Sequence, residues 1–290
     1  MTPYEAILQP FVEYGFMRRA LAACAALAVS GAPLGVFLVL RRMTLVGDAM
    51  SHAILPGVSL AFLAFGLSLM PMTLGGLLAG LLVAAAAGAV TRFTPLKEDA
   101  SFTGAYVMSL AAGVLILSLH GTSTDLMHVL FGNVLAVDKA SLLLVTSIAS
   151  LSLLLLALIY RALIVECFDP EFLRGVRGGG GWIQQVFLLL VVLNLVAAFQ
   201  SLGTMMAMGV MVLPAIAARF WTKNIDAAMG ISVAFALAAS FTGLLLSYHY
   251  ALPSGPAIVM TAGAFYVASL LAGRHGSLRA NLLRSKHYAH

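Results

Sequence analysis

Residues 139–160 read KASLLLVTSIASLSLLLLALIY, and the next charge after Lys139 is Arg161. The uncharged run between them matches the about 20 apolar residues needed to cross a hydrocarbon layer about 30 Å thick. Outward from it, eight more apolar runs occupy 20–40, 44–68, 72–93, 102–119, 182–200, 203–220, 227–249 and 254–273. The runs 102–119 and 203–220 are short and rich in Gly, Ser and Met. The spacing therefore predicts an all-α, polytopic transmembrane helix bundle of about 8–9 spans, with little chain left for a soluble domain.

Composition agrees. Of 290 residues, 61% are hydrophobic and 9% charged, and the mean hydropathy is +1.01. A soluble domain carries about 25% charged residues. Sixteen basic and eleven acidic side chains cannot cover a water-facing surface, which excludes a soluble enzyme, a disordered chain and a nucleic-acid binder. The net charge of +5 does not point to nucleic acid, because the basic residues sit at the ends of apolar runs. Twenty-seven glycines and the alanines 84–87 favour close helix packing in lipid. Cys24 and Cys167 are too far apart in sequence for a CxxC site and read as small apolar side chains. No cleavable signal peptide is evident: Glu5 and Glu13 interrupt the first 17 residues.

Three regions follow. Residues 1–17 read as an amphipathic segment lying along the bilayer surface, 18–273 as the membrane domain, and 274–290 as a basic tail. Orientation follows from lysine and arginine. With the loop 166–181 on the cytoplasmic side, Arg41, Arg42, Arg92, Lys97, Arg161 and Arg174 fall inside. Arg177, Arg219, Lys223, Arg274, Arg279, Arg284 and Lys286 join them, leaving Arg18, Arg19 and Lys139 outside. This places the C-terminus in the cytoplasm.

Of the eleven acidic residues, only Asp48 lies inside a long apolar run. His52 follows four positions later, which puts carboxylate and imidazole on one helix face about one turn apart. An ionisable group in the hydrocarbon layer costs several kcal/mol unless it faces a cavity or a partner. A carboxylate with an imidazole suits Zn²⁺, Mn²⁺ or Fe²⁺; the competing reading is a structural pair that locks helices together. Pro56 and Gly57 follow at once and read as a hinge of the pathway, because a proline removes a backbone hydrogen bond. His249, ending the eighth run, reads as a metal ligand at the entrance. His120, Asp125 and His128 in the loop before residue 139 are weaker entrance candidates. Met205, Met206, Met208 and Met211 read as packing, and Asn194 and Gln200 as interhelical hydrogen bonders.

The loop 166–181 contains Asp169-Pro170-Glu171-Phe172, which predicts the start of a short helix, then Arg174 and four glycines at 178–181. Such a helix on the inner surface is a docking knob for a partner. No Gly-Lys-Ser/Thr follows the glycines, so the chain shows no nucleotide site of its own.

Taken together these residues resemble the permease subunit of ATP-binding-cassette importers for zinc, manganese and ferrous iron. The stretch that carries the resemblance is Arg41-Arg42-Met43-Thr44-Leu45-Val46-Gly47-Asp48-Ala49-Met50-Ser51-His52-Ala53-Ile54-Leu55-Pro56-Gly57. Leu130-Phe131-Gly132-Asn133, Met211-Val212-Leu213-Pro214-Ala215 and Leu252-Pro253-Ser254-Gly255-Pro256 support it. The resemblance implies a cobalamin-importer-like permease fold in a bacterial cytoplasmic (inner) membrane. It implies a second copy of the chain, a cytoplasmic ATP-binding subunit meeting Asp169, Pro170, Glu171, Phe172 and Arg174, and an extracytoplasmic metal-binding protein. No cofactor is expected in this chain, and Zn²⁺, then Mn²⁺, is the expected cargo. The alternatives are a proton-coupled secondary metal transporter, an intramembrane hydrolase, for which HExxH and GxSxG are absent, and a structural or receptor-like membrane protein.

Overall fold

The computed structural model describes residues 7–66, 68–96, 98–118, 137–169 and 181–279. Among them are eleven helices. They are α1 (Gln9–Glu13), α2 (Gly15–Leu40), α3 (Thr44–Ala53), α4 (Leu55–Phe65), α5 (Leu69–Phe93), α6 (Glu98–Ser118), α7 (Lys139–Phe168), α8 (Gly181–Leu202), α9 (Thr204–Arg219), α10 (Ile225–Tyr250) and α11 (Ser254–Ala272). No strand occurs among the described residues. Eight helical stretches are long and apolar enough to span a membrane, with α9 as a shorter apolar helix. The nine runs of the sequence thus each find a helix, and α3 with α4 make up one of them.

The bundle is built around α2, the most buried of the spans. Cross-contacts fix the direction of its neighbours. Tyr14 meets Tyr248 at 5.7 Å between ring centroids, the Ser232 hydroxyl donates to the Ala32 carbonyl at 3.4 Å, and Val36 packs with Ala228. So α10 runs antiparallel to α2. Asn194 accepts from Ser30 and Phe187 meets Phe37, so α8 is antiparallel too. Arg19 donates to the Val137 carbonyl and Tyr160 lies edge-on to Phe37, so α7 runs with α2. Helix α9 also runs with α2, and the two cross where Gly35 leaves no room for a Cβ: one built there would stand 1.9 Å from the Met211 carbonyl oxygen. Helices of lipid-embedded bundles approach closely at such small residues.

One internal hydrogen-bond network ties the centre. Asn194 on α8 donates to Ser152 of α7 at 2.8 Å and accepts from Ser30 of α2 at 2.6 Å. This bears out Asn194 as an interhelical hydrogen bonder; the Gln200 side chain lies outside the described set. Met206 and Met211 are buried in the apolar core, in line with packing, and the Met205 side chain is outside the described set.

Three boundaries differ from the sequence expectation. Helix α2 begins at Gly15, so the N-terminal segment ends before residue 17, at Tyr14, whose extended backbone separates it from α1. Its Phe11 stacks on Phe241 at 5.1 Å, which pins α1 to α10. Helix α7 continues to Phe168, beyond residue 160, because Arg161 turns outward while Glu166 packs inward at 4% exposure. The loop after α7 therefore opens at Asp169 rather than at 166. Third, the run 44–68 is two helices with a break at Ile54.

Basic residues segregate by end. Arg41, Arg42, Arg161, Arg219, Lys223, Arg274 and Arg279 lie toward the Leu40 end of α2, and Arg18, Arg19 and Lys139 toward the Tyr14 end.

Candidate functional site

Helix α3 enters from the turn Arg41-Arg42, where Arg42 holds a left-handed conformation (φ 57°). Gly47 then seats α3 against α2 and α9: a Cβ there would stand 3.1 Å from both Leu38 and Met208. This fixes the rotation of α3. Leu45 (68% exposed) and Asp48 face outward from the chain, and His52 is half-buried one turn further on. Carbons β at such i, i+4 positions lie about 6 Å apart. The Ser51 hydroxyl donates to the Asp48 carbonyl at 2.7 Å and leaves the carboxylate to its own face.

The helix stops directly after the pair. Ala53 is the last residue of α3, and Pro56 is the second residue of α4. Proline has no N–H, so the His52 carbonyl lacks the donor an unbroken helix would supply at position 56; it takes the Ile54 N–H instead. The Ala53 carbonyl accepts from the Ser109 hydroxyl at 2.9 Å, midway along α6. His52 therefore sits in the last turn of a short helix at mid-depth of the bundle. The carbonyl end of a helix carries about half a negative charge. Carboxylate, imidazole and carbonyl dipoles together make an electronegative spot suited to a cation.

Gly57, expected as part of a hinge, is closely packed. It is a crossing point, where a Cβ on it would meet the Gly75 carbonyl oxygen at 1.9 Å, and one on Gly75 would meet that of Gly57 at 2.4 Å. The break belongs to Ile54 and Pro56, and Gly57 locks α4 to α5.

His249 is not gathered to this pair. It is exposed at the end of α10 and adjoins Tyr248, at 5.3 Å between rings. Tyr248 meets Tyr14 just before α2, whereas Gly47 meets Leu38. The two places are separated by about 36 Å of helix. Among the described residues, no group of three or more His, Cys, Asp and Glu side chains comes together. The described residues thus supply an acid–imidazole pair and not a closed coordination shell. Of the residues expected to meet an ATP-binding subunit, Asp169 caps α7 and is exposed, while Pro170, Glu171, Phe172 and Arg174 lie outside the described set, as do His120, Asp125 and His128.

Sequence reasoning missed a second polar spot near the Phe168 end of α7. Arg41 Nη1 and Glu166 Oε2 are buried without hydrogen-bond partners. Both side chains lie within electrostatic reach of the Cys167 thiol, and the Arg41 guanidinium stands over the Phe187 ring at 5.7 Å. The signal that would have found it is the continuation of α7 past residue 160.

A family model described as the ABC 3 transport family matches residues 13–273. The chain belongs to that family. It is 31% identical over 272 residues to the manganese transport system membrane protein MntC of Listeria innocua, covering 93% of this chain and 96% of the relative. It is 31% identical over 268 residues to the chelated iron transport system membrane protein YfeD of Yersinia pestis, covering 92% and 89%. A chain of PsaBC from Streptococcus pneumoniae, solved in complex with Fab, superposes with a TM-score of 0.82 at 28% identity over 93% of this chain and 96% of that one. The bundle is therefore that of an ABC-type membrane permease. An inward-facing metal-chelate type ABC transporter shares the fold at a TM-score of 0.70 and 13% identity, over 90% of this permease and 87% of that chain.

Proposed function

We propose that this permease subunit imports a divalent transition-metal ion into the cytoplasm, with Asp48 and His52 as the transient cation site. The observation that carries the reading is the outward-facing Asp48 on a membrane helix. A carboxylate in a membrane helix is costly, up to about 2.5–3.5 kcal/mol at the helix centre on insertion scales. Turned to lipid it has no compensation; turned to a second copy it has one. Two copies meeting on this face would offer two Asp and two His, a shell whose charge offsets a divalent cation. His249, at the far end of the bundle, serves in this reading as an entrance ligand.

Manganese is placed first, ahead of ferrous iron and zinc. Affinity alone favours zinc at nearly any Asp/His site. Yet no cysteine joins the pair in a cluster among the described residues, the donors are oxygen and nitrogen, and the relatives reported above carry manganese and iron names. ATP hydrolysis falls to a separate cytoplasmic subunit docking at residues 169–180, and an extracytoplasmic binding protein delivers the ion at the Tyr14 end. The basic residues at the Leu40 end support a cytoplasmic placement of that end and of the C-terminus. Occupancy must be weak, since conduction requires release.

In vesicles holding the assembled transporter, Asp48→Ala and His52→Ala should each abolish ATP-driven manganese uptake while the complex still forms. Wild-type uptake by both variants overturns the assignment. Offering zinc, manganese and ferrous iron in turn ranks the cargo.

A further inference from the structure

The helix break after His52 does not stand unaided. Most helical hydroxyls in this chain fold back on their own helix: Ser59, Thr73, Thr91, Ser150 and Ser240 each donate to the carbonyl four residues earlier, at 2.6–2.9 Å. Ser109 instead donates to the Ala53 carbonyl of a different helix. One turn further along α6, Gly113 seats the other side of the break: a Cβ there would stand 3.0 Å from the Pro56 nitrogen and 3.2 Å from Leu55 Cβ. Helix α6 thus clasps the interruption at two successive turns, hydroxyl on Ala53 and bare backbone on Leu55-Pro56. A carbonyl stripped of its helical donor in a low-dielectric interior must find another one or let the last turn unwind. That last turn holds His52.

We propose that Ser109 is a positioning residue for the cation site, holding the last turn of α3, and with it the His52 imidazole, through the Ala53 carbonyl. This rests on the reading of Asp48 and His52 as the cation site. Ser109 does not touch the ion; it sets where the imidazole stands relative to the Asp48 carboxylate. Helix α6 otherwise contacts mainly α3, α4 and α5, so a shift of α6 is felt first at this break.

The test uses the assembled transporter in vesicles with manganese as the only added metal. Ser109→Ala should lower the metal moved per ATP hydrolysed on the order of ten-fold, the loss expected for one buried carbonyl left unsatisfied. ATP hydrolysis without metal should stay as in the wild type, and the thermal midpoint of the complex should fall by no more than a few degrees, as one lost hydrogen bond predicts. Ser109→Thr, whose hydroxyl reaches the same carbonyl, should restore transport, and Ser109→Cys, a weak donor, should fall between. A flat series, or Thr as impaired as Ala, overturns the inference, since side-chain volume and not the hydroxyl would then matter. If Asp48→Ala transports normally, the site reading itself fails. If Asp48→Ala is dead while Ser109→Ala matches the wild type, only the present inference falls.

Discussion

Asp138 shows how a single side chain sets an element in place. It precedes α7, and its carboxylate accepts from the Ser141 backbone N–H at 2.8 Å, an N-cap. The hydrogen bonds from Ser141, helped by nearby Arg19, hold its carboxyl below the usual carboxylate range. A depressed pKa contributes stability above the ordinary carboxylate value, lost as pH falls through the lowered folded value. The expected outcome is that Asp138→Ala costs about 0.5–2 kcal/mol and that the thermal midpoint of the wild type, but not of the variant, drops below about pH 4. A variant with the same midpoint and the same acid limb as the parent would show the cap to be idle. Ala251 and Arg42 are the other informative single residues: both hold positive φ without being glycine, one after α10 and one before α3. Neither is signalled by the sequence, because a left-handed residue that is not glycine leaves no compositional mark.

At the scale of elements, the helices were legible because hydrocarbon thickness leaves few lengths to choose from. The runs 72–93, 227–249 and 254–273 lie within three residues of α5, α10 and α11 at each end. What could not be read was which small residues touch backbone. Gly57, Gly75, Gly88 and Gly230 look alike in sequence, yet the first two form the α4–α5 crossing and the last two face open space. Periodicity reports neither, since crossing points depend on two helices at once. Gly57→Ala or Gly75→Ala should therefore cost about 1–3 kcal/mol through overpacking, whereas Gly230→Ala should gain up to about 1 kcal/mol of helix propensity. Thermal unfolding in one detergent checks both; equal midpoints for Gly57→Ala and Gly230→Ala would contradict the crossing. The Ile54 break was half legible. Pro56 announced an interruption, but not that Ala53 would borrow a hydroxyl from α6.

For the whole molecule, the acid–imidazole pair was legible because an isolated charge among apolar residues is conspicuous, and its outward direction was not, because only tertiary contacts at Gly47 set the rotation of α3. His249 stands beside Tyr248 at the Tyr14 end of α2, far along that helix from the Gly47–Leu38 contact, and is a separate place from the pair. The Arg41–Glu166 corner joins the turn before α3 to the end of α7, just ahead of the loop that opens at Asp169. Two buried opposite charges that share a neighbour should be energetically coupled. A double-mutant cycle of Arg41→Gln and Glu166→Gln on unfolding is expected to show non-additivity of about 0.5–3 kcal/mol; strict additivity would mean that the two charges do not sense each other.

Cys24 is fully enclosed in the core and Cys167 is half-covered at the end of α7. Reagents attack exposed thiolates, so Cys167→Ser alone should render the polypeptide silent to maleimides. A spin label placed at Leu45 in that background would then carry no competing signal, and its dipolar distance to its twin would report directly how near two copies bring their Asp48 faces.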